Sequence, residues 1–330
     1  MKLISVHSVQ IGQRLSFDLR AGNGALLLRK QTALTGDMLA RLNTMGFPTV
    51  YIDGGPYGDV TVRQAIPDEL KACLLERLEA MQPGVLRGHR PDIDALRDMA
   101  CQIFNGVRAT APEPVHPVGT YTADNPLLLH AVNTAILTAS ISLRAGVCPA
   151  LAENYVLAAL AHDLCLDDMD YDTDSGYDHA DRIYALMKET AAVDATCFMA
   201  AAFHHERFDG TGGPRKLCGK QINEGARILA AADLYDCVSS GYGALPMDAP
   251  RAAEYIASQS GRALDPDLMP AFTQSVAVYP TGAAVLLRDG RKAVVCRQNE
   301  GAATRPVVRI ADTELDLRTD ACAEIERMEL

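Results

Sequence analysis

Five of the eight histidines of this chain fall between residues 118 and 275: His130, His162, His179, His204 and His205. Their placement is unusual. His204 and His205 stand side by side after an apolar helical run in AAAFHHERFDG, and His162 is followed by Asp163 at the end of another such run, LAALAHDLCL. Burying so much polar surface destabilises a fold unless each imidazole has a partner. Taken singly, each histidine is more often a satisfied core or surface residue than a ligand. Together they supply the imidazole and carboxylate donors that suit iron, zinc, manganese and nickel, and a carboxylate with two oxygens can bridge two such ions. Asp163 is the bridge candidate, because its neighbour His162 can bind one of the same ions.

The elements that must position these residues follow from periodicity. Residues 118–275 are dominated by alanine- and leucine-rich segments and are predicted to form an all-helical core. Residues 58–117 precede it as a helical linker region, with Leu70, Leu74, Leu78 and Met81, then Ile93, Leu96, Ala100, Ile103 and Val107, falling on one face. These helices could pair as a hairpin, pack on the core or form a dimer contact, and spacing does not choose. Prolines 112, 114 and 117 in ATAPEPVHPVG end the helical pattern.

Residues 1–57 read as a small α+β module. GALLLRK and TVYID are strand-like, and Thr35 can cap a helix carrying Leu39, Leu42 and Met45, stopped at Gly46. Residues 276–330 turn to β-structure, with Asp289-Gly290 between two β-rich runs as a two-residue hairpin signal and PVVRIADTELDL as further strand material. The expected fold is mainly α, with an N-terminal α+β module and a C-terminal β segment.

At 330 residues, nearly half of them apolar, the chain can bury one large core and carry small flanking domains, two to three in all. No apolar run approaches bilayer-spanning length and the N-terminus lacks a secretory signal, so a cytoplasmic protein without membrane insertion is expected. Nine scattered cysteines with no Cys-x-x-Cys argue against a disulfide framework and a thiolate zinc site. A formal charge of −11 disfavours DNA binding, which uses basic patches.

In this order the motifs resemble the HD-GYP family, the phosphodiesterase branch of the HD superfamily. The resemblance covers residues 118–275 through LLLHAVNTA, AHDLC, DHADRIYALM, HHERFDGTGGP and RILAAADLYDCV. The flanking VYID strand and the tail from VAVYPTGAAVLLRDG to RPVVRI are similar to segments that accompany this domain in bacterial proteins. The resemblance implies that His130, His162, Asp163 and Asp233 bind one divalent transition metal and that His179, His204 and His205 bind a second, with Asp163 shared. Iron or manganese come first as the metals, nickel or zinc next. The family's third-metal glutamate would fall one turn before His130, where Pro126 stands, so two ions are expected rather than three.

The implied reaction is hydrolysis of cyclic di-GMP or a related dinucleotide by a metal-bridging hydroxide, with His162 and Asp163 as the catalytic pair. Metal ions make such a hydroxide available by lowering the pKa of water to about 7. Asp209, Gly210, Gly212, Gly213, Pro214 and Arg215 would form the substrate-binding loop.

The departures from the family fall on positions that hold substrate. The family's HDIGK reads HDLCL here, with Leu166 at the lysine position. Gly213 replaces the tyrosine of GYP, and SSGYGALP stands where the family has RPYR. The segment between Asp163 and His179 is shorter than usual and strongly acidic, with Asp167, Asp168, Asp170, Asp172, Asp174 and Asp178. It lacks the glycine and glutamate of a calcium loop and reads as a solvated acidic loop, which would repel an anionic dinucleotide subject to salt screening. Arg207, Arg215, Lys216 and Lys220 flank the glycine loop, and Arg227 precedes the aspartate helix. They offer recognition potential or ordinary surface charge in equal measure.

Two functions of different class follow. One is an active metal-dependent phosphodiesterase. The alternative is a catalytically impaired, metal-containing regulatory or interaction module in cyclic-dinucleotide signalling, with a signalling protein as partner. Hydrolysis of another phosphorylated compound is a third reading, since fold alone does not decide chemistry. Retained ligands beside altered substrate positions favour a metal-bound site in either case. A homodimer through the linker helices is a further expectation.

Overall fold

The computed structural model describes residues 1–111, 113–116, 126–166, 177–190, 194–242, 246–320 and 322–329. Most of the acidic loop (Asp167 to Asp174), Pro112, Pro117 and the centre of SSGYGALP lie outside the described residues. The chain divides into two compact units, one of Met1–Gln64, Pro112–Asn125 and Val276–Leu330, the other of Ala65–Ala111 and Pro126–Ser275.

The first unit contains β1 (Lys2–Ser5), β2 (Leu19–Arg20), β3 (Leu26–Leu28), α1 (Gly36–Thr44) and β4 (Thr49–Ile52). The Thr35 hydroxyl accepts the Met38 N–H at 3.3 Å as the α1 cap, and Gly46 follows the helix at φ +80°, a conformation that favours glycine. β1 pairs antiparallel with β4, burying Ile4, Val50 and Ile52 with Leu42.

The C-terminal strands β5 (Ala284–Leu287), β6 (Lys292–Arg297), β7 (Val307–Ile310), β8 (Thr313–Asp316) and β9 (Ile325–Glu329) make an antiparallel sheet in the order β8-β7-β6-β5-β9. The β5–β6 turn is one residue longer than the Asp289-Gly290 signal suggested. Gly290 N–H donates to Leu287 O and Leu287 N–H to Arg291 O, with Gly290 at φ +87°, so a type I turn is followed by a left-handed glycine. The two ends of the chain meet within this unit. Leu3 N–H donates to Gly282 O at 2.9 Å, and the Tyr51 hydroxyl donates to Thr281 O at 3.1 Å.

The second unit is helical, with α2 (Asp68–Leu86), α3 (Ile93–Thr110), α4 (Pro126–Arg144), α5 (Pro149–Ala161), α6 (Asp178–Lys188), α7 (Ala195–Ala202), α8 (Glu224–Ser240), α9 (Ala249–Ser258) and α10 (Met269–Ser275). α4 is buried on nearly every face, as a helix apolar all round must be, with α5, α8, α3, α10 and α2 against it. It is also long and apolar enough to cross a membrane, which corrects the sequence expectation, but 83% of its most apolar window is buried among the other helices. α2 packs on α4, and α3 packs on α4 and α5, so both helices lie on the core.

Candidate metal centre

Five helices and the chain that leaves them converge to form the site. Pro126 starts α4 and places His130 one turn inside it, fully buried. α5 ends at Ala161, so that His162 and Asp163 turn inward together in the loop that follows. α6 supplies His179 in its first turn, and the chain leaving α7 supplies His204 and His205. Asn223 caps α8 by accepting the Ala226 N–H, and Asp233 and Asp236 follow on one face of that helix. Arg227 therefore lies inside the first turns of α8 rather than before it.

The seven residues come together around Asp163. Its Oδ2 lies 3.4 Å from His162 Nε2 and 3.9 Å from His130 Nε2, while its Oδ1 lies 3.4 Å from His179 Nε2 and 3.7 Å from His204 Nε2. Asp233 Oδ1 is 3.0 Å from His130 Nε2, and His205 Nε2 is 3.0 Å from His179 Nε2. Donor atoms of His179, His204 and His205 gather within 4.8 Å of one another, as do those of His130, His162 and Asp163. A third grouping adds Cys237 to His130 and Asp233.

The imidazoles are aimed by what their outer nitrogens do. His130 Nδ1–H donates to Asp236 Oδ2 at 2.8 Å, His162 Nδ1–H to Ala159 O at 2.7 Å and His204 Nδ1–H to Ala201 O at 2.6 Å. With those protons committed outward, the Nε2 lone pairs point inward. His162 and His130 then face each other at 3.3 Å through Nε2, and His179 and His204 at 3.5 Å. Asp163 Oδ1 is buried without a hydrogen-bond partner among the described residues. Lone pairs and a bare carboxylate oxygen converging in a buried space repel one another unless cations lie between them, so the donor set fits divalent metal ions.

Burial and neighbouring charges shift the groups of the cluster in opposite directions. Burial opposes a charge on His130, but the carboxylates of Asp233 and Asp236 outweigh it and push its pKa up to about 10. His204 is pushed well below the ordinary histidine value by burial and then by the neighbouring imidazoles. His205 is lowered by burial first. Asp233 is held far below the usual carboxylate range, since His130 overcomes the opposing effect of its burial. The Cys237 thiol, 3.4 Å from Asp233 Oδ1, is raised well above its normal value by burial and by that carboxylate, which keeps it neutral.

The loop after His205 is built to a fixed shape. Glu206 is buried, and its carboxylate accepts the N–H groups of Arg215 at 2.6 Å and Leu217 at 2.9 Å. Asp209 is exposed and accepts from the backbone and hydroxyl of Thr211, so it shapes a turn. Gly210 has φ +81°, and Pro214 follows a cis peptide bond. A Cβ on Gly212 would lie 2.3 Å from Arg207 N. A Cβ on Gly213 would lie 2.6 Å from the ring of Tyr177. Of the flanking cations, Arg215 pairs with Asp181 at 2.9 Å, and Lys220 and Arg227 both reach Asp265. Leu166, at the position of the family's lysine, is buried, and its carbonyl accepts from Gln82 of α2.

Sequence reasoning missed several neighbours of the cluster. Asp236 repeats an acid three residues after Asp233 in a helix, a same-face signal that was available. Lys71 of α2 donates to Asn133 Oδ1 at 2.8 Å, one turn beyond His130 on α4. Burial lowers Lys71 to about 8 against the opposing charge of Asp236. Tyr242 stacks on His130 with ring centroids 4.5 Å apart. No periodic signal marks Lys71 or Tyr242, since their positions depend on how helices meet.

Several known proteins are similar to parts of this chain. The HD-domain family model matches residues 170–268, a span that holds His179, His204, His205 and Asp233. Cyclic di-GMP phosphodiesterase PA4108 of Pseudomonas aeruginosa is 27% identical over 280 residues, 77% of this chain and 66% of that protein. The cyclic di-GMP phosphodiesterase response regulator RpfG of Xanthomonas campestris pv. campestris is 44% identical over 71 residues, 21% of this chain and 18% of its own. The matches thus span less than two thirds of the length of either relative. The solved structure of Bd1817, a HDG"Y"P protein from Bdellovibrio bacteriovorus, aligns over 82% of this chain and 97% of that chain, with TM-score 0.46 and 16% identity. With its histidine and aspartate order kept and its glycine loop altered, this chain carries an HD-domain match over residues 170–268 and is similar to proteins of the HD-GYP type.

Proposed function

We propose that the chain is a dinuclear-metal phosphodiesterase acting on cyclic di-GMP or a related dinucleotide. The observation that carries this reading is the division of Asp163, one oxygen turned to His162 and His130 and the other to His179 and His204. That arrangement suits one carboxylate shared by two ions, with Asp233 completing the first set and His205 the second. Divalent ions held there would make hydroxide available from water near neutral pH and offset charge on phosphoryl oxygens.

The chain's own residues do the rest. Asp236 and the carbonyls of Ala159 and Ala201 hold three imidazoles in the ligating orientation. Glu206 fixes the loop of Asp209, Gly210, Gly212, Gly213, Pro214 and Arg215 beside His205, and the half-exposed Arg215 guanidinium can leave Asp181 for an anionic phosphate. The relatives' activities towards cyclic di-GMP, and towards 3'3'-cGAMP for a Vibrio cholerae protein 32% identical over 83 residues, support the substrate class.

A second reading, a metal-containing regulatory module that binds nucleotide without turnover, is favoured by Leu166, whose buried apolar side chain leaves no cation at that position. The test is to purify the protein without chelator or affinity-tag histidines, measure bound metal by elemental analysis, and assay the same sample on cyclic di-GMP, its linear product and a generic phosphodiester. Two metals per chain with turnover support the enzyme. Metals without turnover move the conclusion to the regulatory module, and no metal under any loading condition overturns both.

A further inference from the structure

Tyr177 lies on Gly213 more closely than any side chain at that position would allow. A Cβ built on Gly213 would meet Tyr177 Cε2 at 2.6 Å, Cζ at 2.7 Å and Cδ2 at 3.0 Å. The ring therefore rests flush on the backbone of the glycine loop, and glycine alone admits it there. The same ring lies 6.0 Å from the ring of His205, tilted by 60°, and Tyr177 stands two residues before His179 at the start of α6. Its support is rigid, because Gly213 N–H donates to His205 O and the Glu206 carboxylate holds the two loop amides beyond it. Even so, 36% of Tyr177 is exposed, which makes it one of the few large apolar side chains left open to solvent among the described residues.

An aromatic ring that is backed by fixed backbone, meets one imidazole of the cluster and keeps accessible surface has the properties of a stacking platform. Every nucleobase has a π-face, and base–aromatic stacking supplies affinity without requiring a particular sequence. Arg215, two residues after Gly213, adds a cation on the same loop for the phosphate that accompanies a base. We infer that Tyr177, seated on Gly213, stacks on a base of the dinucleotide and fixes its position against the metal cluster, a specificity role for a residue outside the ligand set. This inference rests on the phosphodiesterase reading above for the identity of its ligand.

The chain contains no tryptophan, so Tyr177→Trp places a single indole reporter at the platform. Metal-loaded protein is titrated with a non-hydrolysable phosphorothioate analogue of cyclic di-GMP and, separately, with inorganic phosphate. The expected result is saturable change in indole emission with the dinucleotide and none with phosphate. Tyr177→Ala should weaken dinucleotide binding about tenfold or more by calorimetry, with metal content and phosphate binding unchanged, and Tyr177→Phe should retain the affinity. Wild-type affinity in Tyr177→Ala overturns the platform while leaving the phosphodiesterase reading intact. Equal losses for dinucleotide and phosphate also overturn it, since they reveal a structural role. Failure of the fully metallated wild-type protein to bind the dinucleotide overturns both readings together.

Discussion

Asp236 Oδ2 accepts the Nδ1 proton of His130 at 2.8 Å, and both side chains are buried. The carboxylate sits behind the imidazole, fixes its tautomer and raises its basicity, which is the arrangement that strengthens a histidine as a metal ligand. Asp236→Ala should lower the affinity of the His130 half of the cluster about 10- to 100-fold, while the His179, His204 and His205 half retains its metal. Stoichiometric metal titration reads this, and equal loss at both halves would contradict it.

Glu206 is expected to act through the loop rather than through the metals. Glu206→Ala leaves the Arg215 and Leu217 amides without their acceptor and should destabilise the protein by about 2–4 kcal/mol. Denaturant unfolding measures the change. Glu206→Gln, which keeps one carbonyl oxygen, should lose less.

Two glycines are set apart by what surrounds them. A Cβ on Gly225 would lie 2.5 Å from the Tyr155 ring and 2.9 Å from Ala200, so Gly225→Ala should cost about 1–3 kcal/mol by forcing α8 away from its neighbours. Gly212→Ala meets backbone at 2.3 Å and should be worse, with lost activity accompanying lost stability. By contrast, Gly88 has nothing within 4 Å of a Cβ, and Gly88→Ala should suffer only from its positive φ of +85°. Thermal melts of the three variants test the order.

The pH dependence of the metal-free protein follows from shifts of opposite sign. His204 and His205 are depressed in the folded state, so the unfolded chain binds more protons below its histidine pKa of about 6.5 and stability should fall as pH drops through that value. His130 is raised to about 10, so its contribution is complete below about 6.5 and is lost as pH rises towards about 10. Unfolding free energy should therefore peak near neutral pH, and His130→Asn should flatten the alkaline side alone.

Metal removal should destabilise the helical unit. Ions bound at a hundredfold excess over their dissociation constants contribute about 2.7 kcal/mol each through linkage. Dialysis against chelator should lower the melting temperature, and restoring manganese or iron should recover it. An unchanged melt would argue against metal binding by the folded state.

The sequence by itself determined most of the elements and which residues are candidates for metal chemistry. Thr35 and Gly46 marked the ends of α1 because capping and left-handed backbone are local demands. The histidines and Asp163 were legible because few residue types can ligate a transition metal and because imidazoles are costly to bury in apolar helices. Tertiary structure alone decided which oxygen of Asp163 faces which imidazole, that α2 delivers Lys71 to Asn133, and that the first and last strands share a unit. It also placed the Tyr177 ring on Gly213, a contact between residues 36 positions apart. Periodicity states which face of a helix is apolar but not which other face it will meet, and a side chain's partners are set by that meeting.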